Sequence, residues 1–270
     1  VTYPASPARP ALREALRHVR FAVAGNVWED FAEKLAKTGA VAEALIEGAG
    51  CSSPSVQLRI NPRGETTLSS THEQLLSGAS GQVYQGCRFP ADERYRAALQ
   101  EAGLRVGRTP PPRASSAASP STSSRAPARP AGATSTRWKI NLRMGGTTHP
   151  MLALRFLTGG ALDPASGLFR SPGGSARHYR STDNLESESY RGLLPEDLVE
   201  IITFNRLHYH YGTETGVLFH MIGAISEFGK VGMTAIGGSP AEAEDLFRRA
   251  VLVLDRETRY RPGSPAGAPP

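Results

Sequence analysis

The stretch Asn141-Leu142-Arg143-Met144-Gly145-Gly146-Thr147-Thr148-His149-Pro150 concentrates more potential chemistry than any other part of this chain. Just upstream, Lys139-Ile140-Asn141-Leu142-Arg143 alternates polar and apolar residues, the pattern of a strand. That period predicts residues 139, 141 and 143 on one face and Ile140 and Leu142 buried beneath. Gly145 and Gly146 follow, where backbone N–H groups can approach an anion with no Cβ in the way. An amide, a guanidinium and a glycine nest at one strand end suit the handling of phosphate.

Other polar sets are less specific. Ser55, Gln57 and Arg59 alternate in Ser53–Ile60 and share a strand face, which an exposed hairpin would show equally well. Glu43 and Glu47 bracket a short apolar run, where solvated strand-end acids have the same spacing. His72 stands alone in Ser70-Thr71-His72-Glu73-Gln74, and a lone histidine is most often structural. His208 and His210, two apart, could ligate a metal from one strand face, but no third ligand stands beside them. Strand-surface histidines are the default. No Gly-x-Ser-x-Gly elbow supports a hydrolase triad. Cys51 and Cys87 lie far apart with no second pair, so they read as free thiols rather than a zinc site.

The elements that must position these residues follow from periodicity. Leu12–Val19 and Trp28–Lys37 read as helices, the second stopped by Gly39. Ala40–Ile46 reads as a buried strand. Ser55–Ile60 and Thr66–Ser70 form a hairpin around Asn61-Pro62-Arg63-Gly64. Helices are expected over Glu93–Ala102, ended at Gly103, and over Met151–Leu157, with a turn-rich stretch from Gly159 to Arg177. Leu194–Phe204 is helical. Val217–Ile225 and Val231–Ile236 make a second hairpin. Ser239-Pro240-Ala241-Glu242 is a capping box with proline at the first helical position. The helix it opens carries Ala243, Leu246, Phe247, Ala250, Val251 and Leu254 on one face.

At 270 residues, with 39% hydrophobic and 21% charged, the composition is that of a globular protein able to bury a full core. No apolar run approaches a membrane span and no signal peptide opens the chain, so membrane and secretion are not expected. The formal net charge is +6, of which Arg113, Arg125, Arg129 and Arg137 supply +4. The remainder is near balance, and no folded basic face argues for nucleic acid. Those arginines lie in Thr109–Arg137, built otherwise from Ala, Ser, Pro, Thr and one Gly. Nothing there can fill a core, so the segment is expected to be disordered.

The 140–160 region, NLRMGGTTHP followed by MLALRFLTGG, resembles the closing strand of the ATP-grasp fold, in the peptide-ligase branch typified by the pheganomycin-type ligases. The resemblance extends over most of the chain outside 109–138, and residues 53–92 carry it nearly as specifically. It implies an α+β protein: a partial ATP-grasp domain, mostly antiparallel sheet with helices, and then a small α+β domain. The boundaries it implies are 1–108, a disordered 109–137, 138–175, 176–258 and a tail at 259–270. It further implies ATP and Mg2+ as cofactors, amino-acid or peptide carboxylate and amine substrates, a cytoplasmic location and amide formation through an acyl phosphate. By this resemblance Asn141 is a magnesium ligand and Arg143 the catalytic phosphate contact. Glu43 and Glu47 would sit at adenine and ribose. Arg59, Gly145, Gly146, Thr147 and Thr148 would seat the carboxylate substrate, with residues 70–74 and 81–84 as substrate-side loops.

Two departures stand out. The family's Glu of Glu-x-Asn is Lys139 here, and its strand with a magnesium-binding Asp falls within 109–137. Written in GC-rich codons and read one nucleotide earlier, Arg113–Ser124 yields V-V-G-R-F-A-V-D-F-V, which is that strand. A compensated frameshift across 109–138 is the reading this supports, and its rival is a genuine flexible insert replacing the strand. The chain is also expected to begin after the family's phosphate loop. The resulting expectation is a ligase-family member inactive as written. The alternative is a non-catalytic binding or assembly module built on 176–258. Nucleic-acid binding through the arginine-rich segment has least support, since aromatics are not interleaved there.

Overall fold

A computed structural model describes residues 14–21, 25–39, 51–77, 81, 83–108, 121–127, 137–141 and 143–259. Glu43, Glu47 and the expected 40–46 strand lie outside them. The chain divides into two units, Val1–Glu47 with Leu76–Tyr84 and Gly48–Leu75 with Gln85–Pro270. The first carries α1 (Trp28–Thr38), which ends as Gly39 turns to φ +69° and donates its N–H to the Leu35 carbonyl at 2.8 Å. Phe31 packs against Phe21 edge-on with ring centroids 5.4 Å apart.

Among the described residues an 11-stranded sheet organises the fold, eight of its strands in the order β1-β5-β2-β3-β4-β9-β11-β10, with β6 paired to β5, β8 to β9 and β7 to β8. Its strands are β1 (Cys51–Ser52), β2 (Pro54–Ile60), β3 (Thr66–Ser77), β4 (Val83–Phe89) and β5 (Ser121–Pro127). After them come β6 (Arg137–Asn141), β7 (Ala161–Leu162), β8 (Phe169–Arg170), β9 (Ala176–Glu186), β10 (Gly216–His220) and β11 (Lys230–Gly237). The strand pairings are antiparallel. The β2–β3 hairpin forms where expected. Asn61 Oδ1 accepts the N–H groups of Arg63 and Glu65 at 2.9 and 3.0 Å, and Gly64 takes φ +82°. These are the devices by which Asn and Gly close a turn.

Helix α2 (Glu93–Arg108) covers one face of this hairpin, burying Leu99 against Val56 and Leu58. It runs through Gly103, where a stop was expected. A Cβ at Gly103 would come within 2.7 Å of Val56 Cγ1, so the glycine serves close helix–sheet approach rather than termination. Helix α3 (Thr148–Thr158) buries Met151 and Leu154 with Phe89, Phe169 and Tyr179. Helices α4 (Pro195–Phe204), α5 (Ile225–Phe228) and α6 (Pro240–Arg259) complete the carboxyl-terminal part. Leu198, Ile225, Val231 and Leu254 form its core, next to a second cluster of Ile202, Met233, Ala235 and Ala250. The capping box closes with Ser239 Oγ accepting the Glu242 N–H at 3.1 Å, while the Glu242 carboxylate accepts the Gly238 N–H at 2.7 Å.

Three expectations need correction. Residues 121–127, expected to be disordered with the rest of 109–137, form β5, which pairs with β1, β2 and β6. The strand pairing is made by backbone groups and needs no large side chains when neighbours supply the edges. Residues 109–120 and 128–136 lie outside the described residues. Ile140, expected to be buried, is 49% exposed, because β6 pairs only with β5 among the described strands. Leu142 is outside the described residues. Finally, residues 70–74 are not a loop but the interior of β3, and Val83 and Tyr84 open β4.

Candidate functional site

The register of β2, β5 and β6 sets two rows of residues across three strands. Gln57 is opposite Ser121, and Ser121 is opposite Asn141. Ser55 is opposite Ser123, and Ser123 is opposite Lys139. The Gly145–Gly146 turn follows β6 and leads into α3, with the Thr148 N–H donating to the Gly145 carbonyl at 2.9 Å. The Thr148 hydroxyl accepts the Gly145 N–H at 3.2 Å. Gln57 ties the turn to the sheet. Its side-chain NH2 donates to the hydroxyls of Thr147 and, at 3.3 Å, of Thr148, while its carbonyl accepts from Ser70 at 2.9 Å. Gln57, Ser70 and Thr147 are all buried. A buried amide satisfied at both ends fixes the turn, since a lost partner there would strand a desolvated group.

Beside this anchor opens a cleft of about 550 Å³, lined by Gln57, Arg59, Met144, Thr148, Arg155 and Phe169 among others. Of the residues proposed on sequence grounds, Arg59 and Thr148 line the cleft and Thr147 is buried at its anchor. Gly145 and Gly146 form the turn, and Asn141 ends β6. Arg143 is exposed and donates to the Met144 carbonyl at 3.2 Å. Sequence reasoning passed over Arg155 and Met144. Arg155 is seven residues past Thr148 and so shares its helix face, a signal visible only once the helix is known to face β2.

The second half of the neighbourhood is built on histidines. His149, next to Thr148, stacks on His220 of β10 with ring centroids 4.3 Å apart. Burial, with the nearby His149, holds the His220 pKa down at about 4. His72 is fully buried and pairs through Nε2 with the Tyr179 hydroxyl at 2.5 Å, and burial holds its pKa at about 3. Glu73 accepts the Ser53 N–H at 2.9 Å and the Tyr95 hydroxyl, and burial raises its pKa. Both depressed histidines are neutral in the folded chain, whereas an unfolded histidine protonates near pH 6.5. Their stabilising contribution is therefore complete above about pH 6.5 and is lost as the pH falls toward about 4 and then 3. Thermal melts are expected to show a Tm that declines steadily across that window. A Tm unchanged between about pH 6.5 and pH 4 would contradict buried neutral histidines.

Among the described residues no group of three or more His, Cys, Asp or Glu is arranged to hold a metal. His208 and His210 instead make isolated bridges to Val217 and Thr215. No described helix is long and apolar enough to cross a membrane. Cys87 is buried.

Residues 197–250 match the PGM1 C-terminal domain. The chain is 34% identical over 226 residues to the L-propargylglycine–L-glutamate ligase of Streptantibioticus cattleyicolor, covering 84% of this chain. It spans 45% of that relative's length. Among solved structures, biotin carboxylase from Campylobacter jejuni superposes with a TM-score of 0.48 at 11% identity, over 83% of this chain and 50% of that one. Carboxyaminoimidazole ribonucleotide synthase from Aspergillus clavatus, complexed with ATP, gives 0.45 at 11%, over 76% and 50%.

Proposed function

We propose that this chain, a member of the ATP-grasp ligase family carrying the PGM1 C-terminal domain, descends from enzymes that join a carboxylate to an amine through an acyl phosphate, and that as written it no longer completes that reaction. The observation that carries the reading is the row Gln57–Ser121–Asn141 leading into the Gly145–Gly146 turn. In the resembled enzymes the same row delivers metal ligands to ATP, and the turn beyond it receives the acceptor carboxylate. The roles proposed are Arg143 as the phosphate contact, Asn141 as a surviving metal-ligand position, and Arg59, Gly145, Gly146, Thr147 and Thr148 as the carboxylate seat. Glu43 and Glu47, outside the described residues, are proposed at the nucleoside.

The donor set does not fit magnesium. Mg2+ takes hard oxygen ligands, chiefly carboxylates, in near-octahedral geometry. The residues at these register positions are Asn141, Ser121, Ser123 and Lys139, none of them a carboxylate. A cation where the family has a carboxylate changes the local charge by two units beside the triphosphate site, where charges interact strongly. No step is therefore routed through the metal. What the chain's own residues do is hold the turn rigid, through Gln57 and the two threonines, and present guanidinium groups to an anion.

The relative's name points to amino acids as the substrate class, with glutamate as one partner. The absence of a carboxylate in the two rows favours a second reading, a binding or assembly module that keeps the 176–258 region. Magnesium-dependent ATP binding by a variant with V-V-G-R-F-A-V-D-F-V in place of residues 115–124, together with Lys139→Glu, separates the two. A degraded ligase regains it, and a module kept for binding or assembly alone does not.

A further inference from the structure

We propose that Arg155, in the cleft it shares with the seat residue Arg59, is a specificity residue that selects a substrate carrying a second carboxylate in addition to the one held at the seat. This rests on the proposed carboxylate seat, but the selection itself follows from the cleft. Thr148, Met151, Leu152 and Arg155 fall at i, i+3, i+4 and i+7 of α3, and all four line the cleft. Gln57 and Arg59 of β2 line the same cleft. A helix face and a strand thus border one space, anchored at one end by Gln57 on Thr147 and Thr148 and carrying arginines toward the other.

None of the described residues lining this cleft is acidic. Among the described residues neither Arg59 nor Arg155 forms a salt bridge, while Arg88, Arg94, Arg177 and Arg248 each pair with a carboxylate. Two guanidinium groups without a protein counter-charge in one concavity recruit an anion, and their planar forks match carboxylate oxygens in pairs. Beyond Thr67 and Ser69, the rest of the lining, with Leu58, Leu68, Met144, Met151, Leu162 and Phe169, is apolar and suits a methylene chain. At about 550 Å³ the space falls in the range of small-molecule sites.

The spacing also fits. Seven helical residues separate Thr148 from Arg155, about 10 Å along the axis. Long side chains on a helix lean back toward its N-terminus, so an arginine at 155 can close much of that distance. The gap left is of the order of the separation between the carboxylates of a short dicarboxylic amino acid or an acidic dipeptide. Phosphate-bearing substrates would use the same charge but gain nothing from the apolar floor.

L-glutamate and L-glutamine are the discriminating probes, since they share a shape and differ in the distal charge. Titrated calorimetrically into the 270-residue chain without nucleotide, L-glutamate is expected to bind roughly tenfold more tightly than L-glutamine. Arg155→Ala should abolish the difference, and Arg155→Lys should keep part of it, as a charge without the fork. Arg155 is exposed, so its loss should leave the fold intact, which a thermal melt checks. Equal affinities in the parent, binding of neither amino acid, or a preference unchanged in Arg155→Ala would overturn the proposal. Because no nucleotide is present, a glutamate preference without any restorable ATP binding would sink the ligase reading and leave the role of Arg155. Restorable ATP binding with no glutamate preference would do the reverse.

Discussion

Incubated with ATP, magnesium and amino-acid substrates, the 270-residue chain is expected to form no measurable amide product. Phosphoryl transfer is catalysed almost entirely by positioning and charge stabilisation. Removing one such electrostatic contact typically costs about 10²–10³ in rate. On the proposed placement, Lys139 stands where the family has a glutamate, and β5 takes the place of the strand that carries its aspartate. Two losses of that size, compounded by a repulsive ammonium, put turnover below detection. Coupled measurement of ADP and amide is the check. Product formed by the unaltered chain would mean that another set of acids carries the metal.

The largest expected effect on stability lies at a different place. Arg177 is nearly buried and pairs with Glu214 at 2.6 Å, and its guanidinium also donates to the carbonyls of Thr213 and Ala176. Glu214 sits at φ +53°, in a turn held by its N–H donating to the His210 carbonyl at 2.8 Å. The pair as a whole need not be strongly stabilising, because both charges were desolvated to make it. Removing one partner strands the other, at a cost of about 3–5 kcal/mol. Glu214→Ala is therefore expected to lower stability by about that much in urea unfolding. Arg177→Met combined with Glu214→Leu should recover most of it. A Glu214→Ala chain within about 1 kcal/mol of the parent would show that solvent reaches the guanidinium after all.

Much of the fold was legible because local signals agreed. The β2–β3 hairpin, α3, α4, the β10–β11 pair and the capping box of α6 each had periodicity and turn residues pointing the same way. The failures share a cause, which is tertiary. Gly103 reads as a stop, yet Val56 presses so close that glycine is what lets α2 continue. Residues 121–127 read as incapable of order, yet strands on either side supply the hydrogen bonds. Ile140 reads as core, yet it lies on the outermost of three strands. In the site, Asn141, the glycine turn and Arg59 were visible as motif and alternation. Gln57's anchoring of both threonines and the facing of Arg155 were not, since each depends on which helix meets which strand. The stacked His149–His220 pair joins residues 71 apart in sequence, and no local pattern announces it.

The central claim is that the rows Gln57–Ser121–Asn141 and Ser55–Ser123–Lys139 are a nucleotide–metal site that has lost its carboxylates. The most direct measurement is ATP affinity with and without magnesium, for the parent chain and for a variant with V-V-G-R-F-A-V-D-F-V in place of residues 115–124 and Lys139→Glu. The account predicts no magnesium dependence in the parent and a gain of at least about tenfold in the variant, since replacing a cation by an anion beside a divalent ion is worth more than one factor of ten. Magnesium-dependent ATP binding by the parent as tight as the variant's, or a variant that gains nothing, would contradict it.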